Sequence, residues 1–280
     1  MSGTLYLVGT PIGNLGDISP RALETLEQAD FIAAEDTRVT LKLLNHFGIK
    51  KPLVCYFEHN RAEMGEKLIA RLLAGETCAL VTDAGMPAIS DPGEDIVRQC
   101  ALRGIPVLAV PGPTALATAL ALSGLPTQRF CFEGFLAAAG KTRREHLDAL
   151  RTETRTMVFY EAPHKLLRTL QDMLETFGDR DVALCRELTK LHEEVIRTTL
   201  SEAVARFTET APRGEFVLVL RGASGETSPG MTEDAALALV ERYQAEGMRR
   251  KDACRRAALE SGYAANALYR RALDAEKQKE

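Results

Sequence analysis

The sequence predicts an α/β protein, with two α/β domains followed by a small C-terminal helical element. Three observations carry that expectation. Short apolar runs bounded by turn residues alternate with amphipathic stretches as far as Arg221, the rhythm of strand-helix-strand units. Three glycine- and proline-rich loops each follow a predicted strand: GTPIGNLG (Gly9 to Gly16), TDAGMPAISDPG (Thr82 to Gly93) and VPGPTA (Val110 to Ala115). In an open α/β sheet ligands sit at the carboxyl ends of the strands, so these loops are expected to line one ligand cleft. Last, the small-residue stretch GASGETSPG separates everything before it from a segment with purely helical periodicity.

Within the first domain, placed at residues 1–112, buried parallel strands are expected at TLYLVG, DFIAAE, PLVCYF, TCALVT and IPVLAV, with helical patterns between them. Ser19 is the expected N-cap of the first helix, with Pro20 at the first helical position, where its missing N–H costs nothing. The second domain, residues 113–224, has strands at RFCFEG, TMVFYE, DVALCRE, EVIRTTL and EFVLVLRG. Too few residues separate CRELTK from EEVIRT for a parallel crossover, so this sheet is expected to be mixed. In the C-terminal element, residues 232–280, Thr232 is the expected N-cap of a helix stopped at Gly247. Two further helices, RKDACRRAALE and YAANALYRRALD, are broken by Ser261 and Gly262 in a helix-turn-helix outline.

Composition narrows the class. At 280 residues and 45% hydrophobic content the chain can bury a sizeable core. No apolar run approaches the ~18 residues of a membrane span, and the N-terminus enters a strand without a basic leader, so a cytoplasmic protein with no membrane partner is expected. Cys55, Cys78, Cys100, Cys131, Cys185 and Cys254 form no CxxC pair and read as reduced core thiols; no metal-ligand spacing appears among the five histidines, so no metal is expected. The net charge of −4 disfavours a protein that coats nucleic acid, and no DNA partner is expected. Yet from Met248 to Arg271 seven Arg or Lys face only Asp252 and Glu260, a local surplus of five positive charges. Arg249, Arg250, Lys251, Arg255 and Arg256 on or near one helix can grip a phosphate backbone or simply solvate a helical cap, and composition alone leaves both readings open.

Familiar nucleotide motifs are absent. Gly9, Gly13 and Gly16 are spaced GxxxGxxG, with Pro11 where a dinucleotide turn needs freedom, and no GxxxxGK[ST] occurs.

Eight strings in order, LYLVGTPIGNLGDIS, AAEDTR, DAGMPAISDPG, PGPTA, FEGFL, FYEAPHK, CRELTK and RGEFVLV, make the chain resemble the tetrapyrrole methylase superfamily and, within it, the ribosomal RNA small subunit methyltransferase I branch. The resemblance implies a homodimer of two-domain subunits that bind S-adenosylmethionine in the cleft between domains and methylate the ribose 2′-hydroxyl of a cytidine in 16S rRNA of the 30S subunit. Residue by residue it implies donor contacts at Pro11, Gly85, Met86, Ile89, Thr114, Ala115, Glu161 and Leu188. Met86 departs from relatives that have a polar residue there and offers only backbone and soft packing.

For proton transfer from the hydroxyl, the resemblance points to Glu35 at the end of the second strand and to His59 after the third. Arg38, Lys165 and Lys190 lie in the matching motifs as candidate phosphate contacts beside the basic C-terminal cluster. Lys141, Arg143 and Arg144 follow FEGFLAAAG as weaker candidates for RNA. Two other classes share these features: a tetrapyrrole methyltransferase, disfavoured by the basic tail, and a non-catalytic RNA-binding protein, disfavoured by the intact glycine loops.

Overall fold

Strands that are apolar at every position can be covered on both faces, and the central strands FIAA, CALV and FVLVL of this protein are built that way. The computed structural model describes residues 2–223, 232–261, 263 and 268–273. They fall into two compact units, Met1–Gly222 and Ala223–Glu280.

In the first unit, β1 (Leu5–Val8), β2 (Phe31–Ala34), β3 (Leu53–Cys55), β4 (Cys78–Val81) and β5 (Val107–Val110) form an all-parallel sheet in the order β3-β2-β4-β1-β5. Helices α1 (Pro20–Gln28), α2 (Thr37–His46), α3 (Arg61–Leu73) and α4 (Gly93–Leu102) connect the strands. Leu5, Phe31, Cys78 and Leu80 pack on Leu68 and Leu72 of α3 and Ile96 and Cys100 of α4. Their neighbours Val8, Ile32, Ala79 and Val81 pack on Ala22 and Leu26 of α1 and Leu44 of α2. Ser19 caps α1 as expected, its side chain accepting the Ala22 N–H, with Pro20 in the first turn.

This strand order decides where a site can form. The carboxyl ends of β2, β4, β1 and β5 are contiguous, so the three glycine loops and Glu35 emerge side by side on one edge.

The second sheet is mixed, as the short connections require. β6 (Phe130–Phe135), β7 (Thr156–Glu161), β8 (Asp181–Arg186), β9 (Glu194–Thr199) and β10 (Phe216–Leu220) run in the order β6-β7-β10-β8-β9, with only β6 and β7 parallel. On one face Met157, Phe159, Leu184 and Leu218 pack on α7 (Pro163–Phe177) and α8 (Leu200–Glu209). On the other, Val158, Ala183, Cys185 and Val217 meet Ala119 and Leu120 of α5 (Ala115–Ser123), the helix that follows β5. Helix α6 (Gly140–Ala149) lies between β6 and β7 in the chain.

In the second unit Thr232 caps α9 (Glu233–Ala245) by accepting the Ala235 N–H, and α10 (Arg250–Ser261) packs on it through Ala236, Val240, Tyr243, Ala253 and Ala257. Residues 268–273 are helical; Gly262, residues 264–267 and most of the linker lie outside the described residues. No helix among the described residues is long and apolar enough to cross a membrane.

Candidate functional site

The loop ends enclose a cavity of about 410 Å³ within the first unit, lined from both sheets. That volume falls in the range of about 300 to 1,000 Å³ usual for small-molecule sites. Beside the lining residue Met86, the first and third loops meet backbone to backbone. A Cβ on Gly9 would lie 2.7 Å from Gly112 Cα, and one on Gly112 2.9 Å from Gly9 Cα, so only glycine lets the first and third loops touch. The first and second loops are stitched by paired backbone bonds between Thr10 and Gly85, at 2.9 and 3.1 Å, and the Thr10 hydroxyl donates to Thr82 O. Asp91 shapes the second loop by accepting the N–H groups of Ala88, Ile89 and Gly93.

Gly85, Met86, Ile89, Thr114, Ala115, Glu161 and Leu188 all line the cavity, whereas at Pro11 the lining residue is its neighbour Ile12. Thr114 begins α5 without a side-chain cap, and the Leu116 N–H donates to the Tyr160 hydroxyl at 3.1 Å. Burial of that phenol pushes its pKa up, so Tyr160 stays protonated. Leu188 stands between Glu187 and Thr189, whose φ values of 49° and 64° are left-handed, a strained arrangement of the kind found at ligand clamps. Glu187 is pinned by the Glu215 N–H and by Lys190 Nζ, both at 2.9 Å.

Glu161 is a finding about direction. Only 4% exposed, Glu161 turns its carboxylate to α7, accepting the N–H of the cap residue Ala162 at 2.9 Å and the Thr169 hydroxyl at 2.6 Å. Thr169 in turn accepts from Arg143, which also donates to Asp172 at 2.6 Å and to Ala137 O. Arg143 is 3% exposed and therefore no RNA contact; its place in a basic run had made it a candidate.

The cleft mouth carries acid. Glu35 lines it, and its Oε2 accepts the Thr82 hydroxyl at 2.7 Å. Asp83, which the sequence reading left without a role, lines it beside Glu35, its Oδ1 accepting the Asp36 N–H at 3.1 Å. Although Asp83 opens to solvent, desolvation by the cleft wall raises its pKa, the Asp36 N–H opposes that, and the Glu35 and Asp36 carboxylates add to it. Asp36 caps α2 and is forked by Arg38, which holds its pKa down at about 2. Cys185 also lines the cavity, but burial pushes its thiol up to about 11, so it is no nucleophile at neutral pH.

Other expected residues lie elsewhere. His59 is exposed in the turn after β3, edge-on to Phe57, and is not among the cavity residues. Lys165, half-buried on α7, does not line it either. Lys190 does, but Glu187 and Glu215 both neutralise it. Arg38 is 87% exposed. In the second unit Arg249, Lys251 and Arg256 are exposed and Arg250 is half-buried, with the Arg256 guanidinium 5.0 Å from the Tyr243 ring; the side chain of Arg255 lies outside the described residues. Among the described residues no group of three or more His, Cys, Asp or Glu is placed to hold a metal.

The fold is that of a two-domain methylase. The family model described as Tetrapyrrole (Corrin/Porphyrin) Methylases matches residues 4–204. A uroporphyrin-III C-methyltransferase from Thermus thermophilus, solved in complex with S-adenyl homocysteine, superposes with a TM-score of 0.54 at 21% identity, covering 78% of this chain and 97% of its own; at that identity the likeness is one of fold. Among curated relatives, the ribosomal RNA small subunit methyltransferase I of Synechocystis sp. is 48% identical over 275 residues, 98% of this chain and 99% of its own length. The protein of the same name from Thermotoga maritima is 51% identical over 220 residues, 79% of this chain and 99% of its own length. The chain belongs to the tetrapyrrole methylase family, in its ribosomal RNA small subunit methyltransferase I branch.

Proposed function

We propose that this protein transfers a methyl group from S-adenosylmethionine to the ribose 2′-hydroxyl of a cytidine in 16S rRNA of the 30S subunit, and that it works as a cytoplasmic homodimer. The observation that carries the reading is a cleft lined by the second and third glycine loops together with the Glu35 and Asp83 carboxylates, in a chain whose full-length relatives bear a small-subunit rRNA methyltransferase name.

The residues present fit the donor. Gly85, left-handed at φ 89°, lets backbone line the ligand, Met86 and Leu188 supply soft apolar walls, and the start of α5 at Thr114 and Ala115 presents N–H groups to an acceptor atom. When bound, S-adenosylmethionine supplies an electrophilic methyl group on a sulfonium. Fixing the two reactants in line contributes roughly 7 to 11 kcal/mol in well-oriented systems, which loops stitched by the Thr10–Gly85 hydrogen bonds are built to do.

Glu35 is the proton acceptor in this account. Thr82 holds Oε2, which leaves Oε1 to take the proton of the ribose hydroxyl. His59 is assigned no step, since it does not line the cleft. Glu161 shapes the wall through its inward bonds and does not act as an acid or base.

Arg249, Lys251 and Arg256 dock rRNA phosphates, with Arg38 at the cleft rim. The chemistry itself is ascribed to the first unit, which holds every residue that lines the cavity. Dimerisation rests on an uncovered apolar surface: Leu108 is 52% exposed on the edge strand β5, and Ala117 and Ala121 of the next helix face solvent.

The test is calorimetric titration with S-adenosylmethionine followed by labelled transfer to 30S subunits lacking the modification. Donor binding and transfer to rRNA are expected; donor binding with transfer only to a tetrapyrrole would replace the acceptor.

A further inference from the structure

Phe135 is an aromatic side chain left 59% exposed at the rim of the cleft, and nothing in the proposed donor contacts uses it. Its position is built. β6 is an edge strand whose register against β7 shifts between Phe132 and Gly134. Such a bulge re-aims the residues after it. Gly134 has φ 61°, and a Cβ there would lie 3.2 Å from Ser90 Oγ, so glycine lets β6 pass against the loop after β4. Phe135 of the second sheet and Ile89 of the loop after β4 line the same cleft, and Ile89 is itself 42% exposed.

The ring is also supported. Phe135 meets Tyr160 at 5.5 Å between centroids, and Tyr160 is fixed by Phe132 at 4.9 Å and by the Leu116 N–H on its hydroxyl. A rigidly backed aromatic open to solvent has the properties of a stacking platform. Its setting suits a nucleic acid. The chain runs from Phe135 into α6, where Lys141 is 84% exposed and Arg144 is exposed, and the Glu35 and Asp83 carboxylates mark the reacting end of the same cleft.

We propose that Phe135 is the platform on which the base of the acceptor nucleotide stacks, so that the flipped-out pyrimidine is held at the rim while its ribose reaches the acidic mouth. The inference rests on the rRNA reading and deepens it by naming an acceptor subsite. Unpaired bases are recognised chiefly by stacking on aromatic rings, and a platform of this kind tolerates any base face, leaving base choice to edge contacts.

Two variants test it. Phe135→Ala should raise KM for undermodified 30S subunits about 10- to 100-fold, with a far smaller change in donor Kd and a melting temperature lowered only by loss of the Tyr160 contact. Phe135→Trp should keep wild-type transfer. The chain contains no tryptophan, so this variant reports from the rim alone, and its fluorescence should be quenched by a short single-stranded RNA containing cytidine. Wild-type KM in Phe135→Ala would overturn the proposal. So would fluorescence that ignores RNA and follows protein dilution, which would show the ring to be covered by a second copy of the chain. If the wild-type protein fails to methylate rRNA while the Phe135→Trp signal still responds to RNA, the platform stands and the ribose-methylation reading falls.

Discussion

The Thr82 hydroxyl donates to Glu35 Oε2 at 2.7 Å, tying the end of β4 to the end of β2 and fixing one oxygen of the carboxylate at the cleft mouth. This bond orients the base and leaves its other oxygen for chemistry. Glu35→Gln should slow single-turnover transfer by about 10²- to 10⁴-fold, the range for loss of a general base, while calorimetry shows an unchanged donor Kd. An undiminished single-turnover rate would remove Glu35 from the mechanism.

The Gly9–Gly112 contact is backbone on backbone, so neither partner can yield cheaply. Gly112→Ala should cost about 1 to 3 kcal/mol by overpacking and should separate the first and third loops. Thermal melting and donor titration should therefore move together. A variant of wild-type stability and affinity would mean that the loops do not depend on this approach.

Arg143 bonds Thr169, Asp172 and Ala137 O from a buried position, and Thr169 carries the chain of bonds on to Glu161 at the cleft wall. Arg143→Met leaves Thr169 and Ala137 O without their donor, while Asp172 keeps Arg168 at 4.0 Å, so stability should fall by about 1 to 3 kcal/mol in urea unfolding. A loss below about 1 kcal/mol would indicate that water, which reaches the 30% exposed Asp172 side chain, satisfies these acceptors too.

These cases show what the sequence made legible. The strands were readable because each is a short apolar run between turn residues, and the Ser19–Pro20 helix start because capping is local chemistry. The cleft was readable because glycine and proline follow β1, β4 and β5, whose adjacency the strand order then supplied. Long-range partners were not. Arg143 sits in a basic run and its burial depends on Asp172, 29 residues away; the FEGFL string hides both the bulge that turns Phe135 outward and the closeness of Ser90 to Gly134. Asp83 was within a quoted loop, but its value as a cleft acid depends on the ends of β2 and β4 being neighbours.

Asp83 gives a pH dependence with a definite sign. Its folded pKa lies above the unfolded value near 3.8, chiefly through desolvation, so its favourable contribution is complete below that value and is lost as pH rises through the folded pKa. Asp83→Asn keeps an acceptor for the Asp36 N–H and removes the charge. The variant should melt above wild type at pH 7, and the difference should shrink at pH 3.5. A gap that does not narrow in acid would contradict this reading.

Exposed cations in the second unit should act through counterion release. Replacing Arg249 and Lys251 together with Ala should weaken 30S binding and reduce the slope of log K against log salt by about 1.5 to 2, with the donor Kd unchanged. An unaltered slope would return α10 to the role of a solvated cap.

The most direct measurement of the central claim is labelled methyl transfer from S-adenosylmethionine to 30S subunits lacking the modification, followed by nuclease digestion and mass spectrometry of the nucleosides. The account predicts label in 2′-O-methylcytidine, and its loss with Glu35→Gln. Label on a base, or no label despite measurable donor binding, would contradict it.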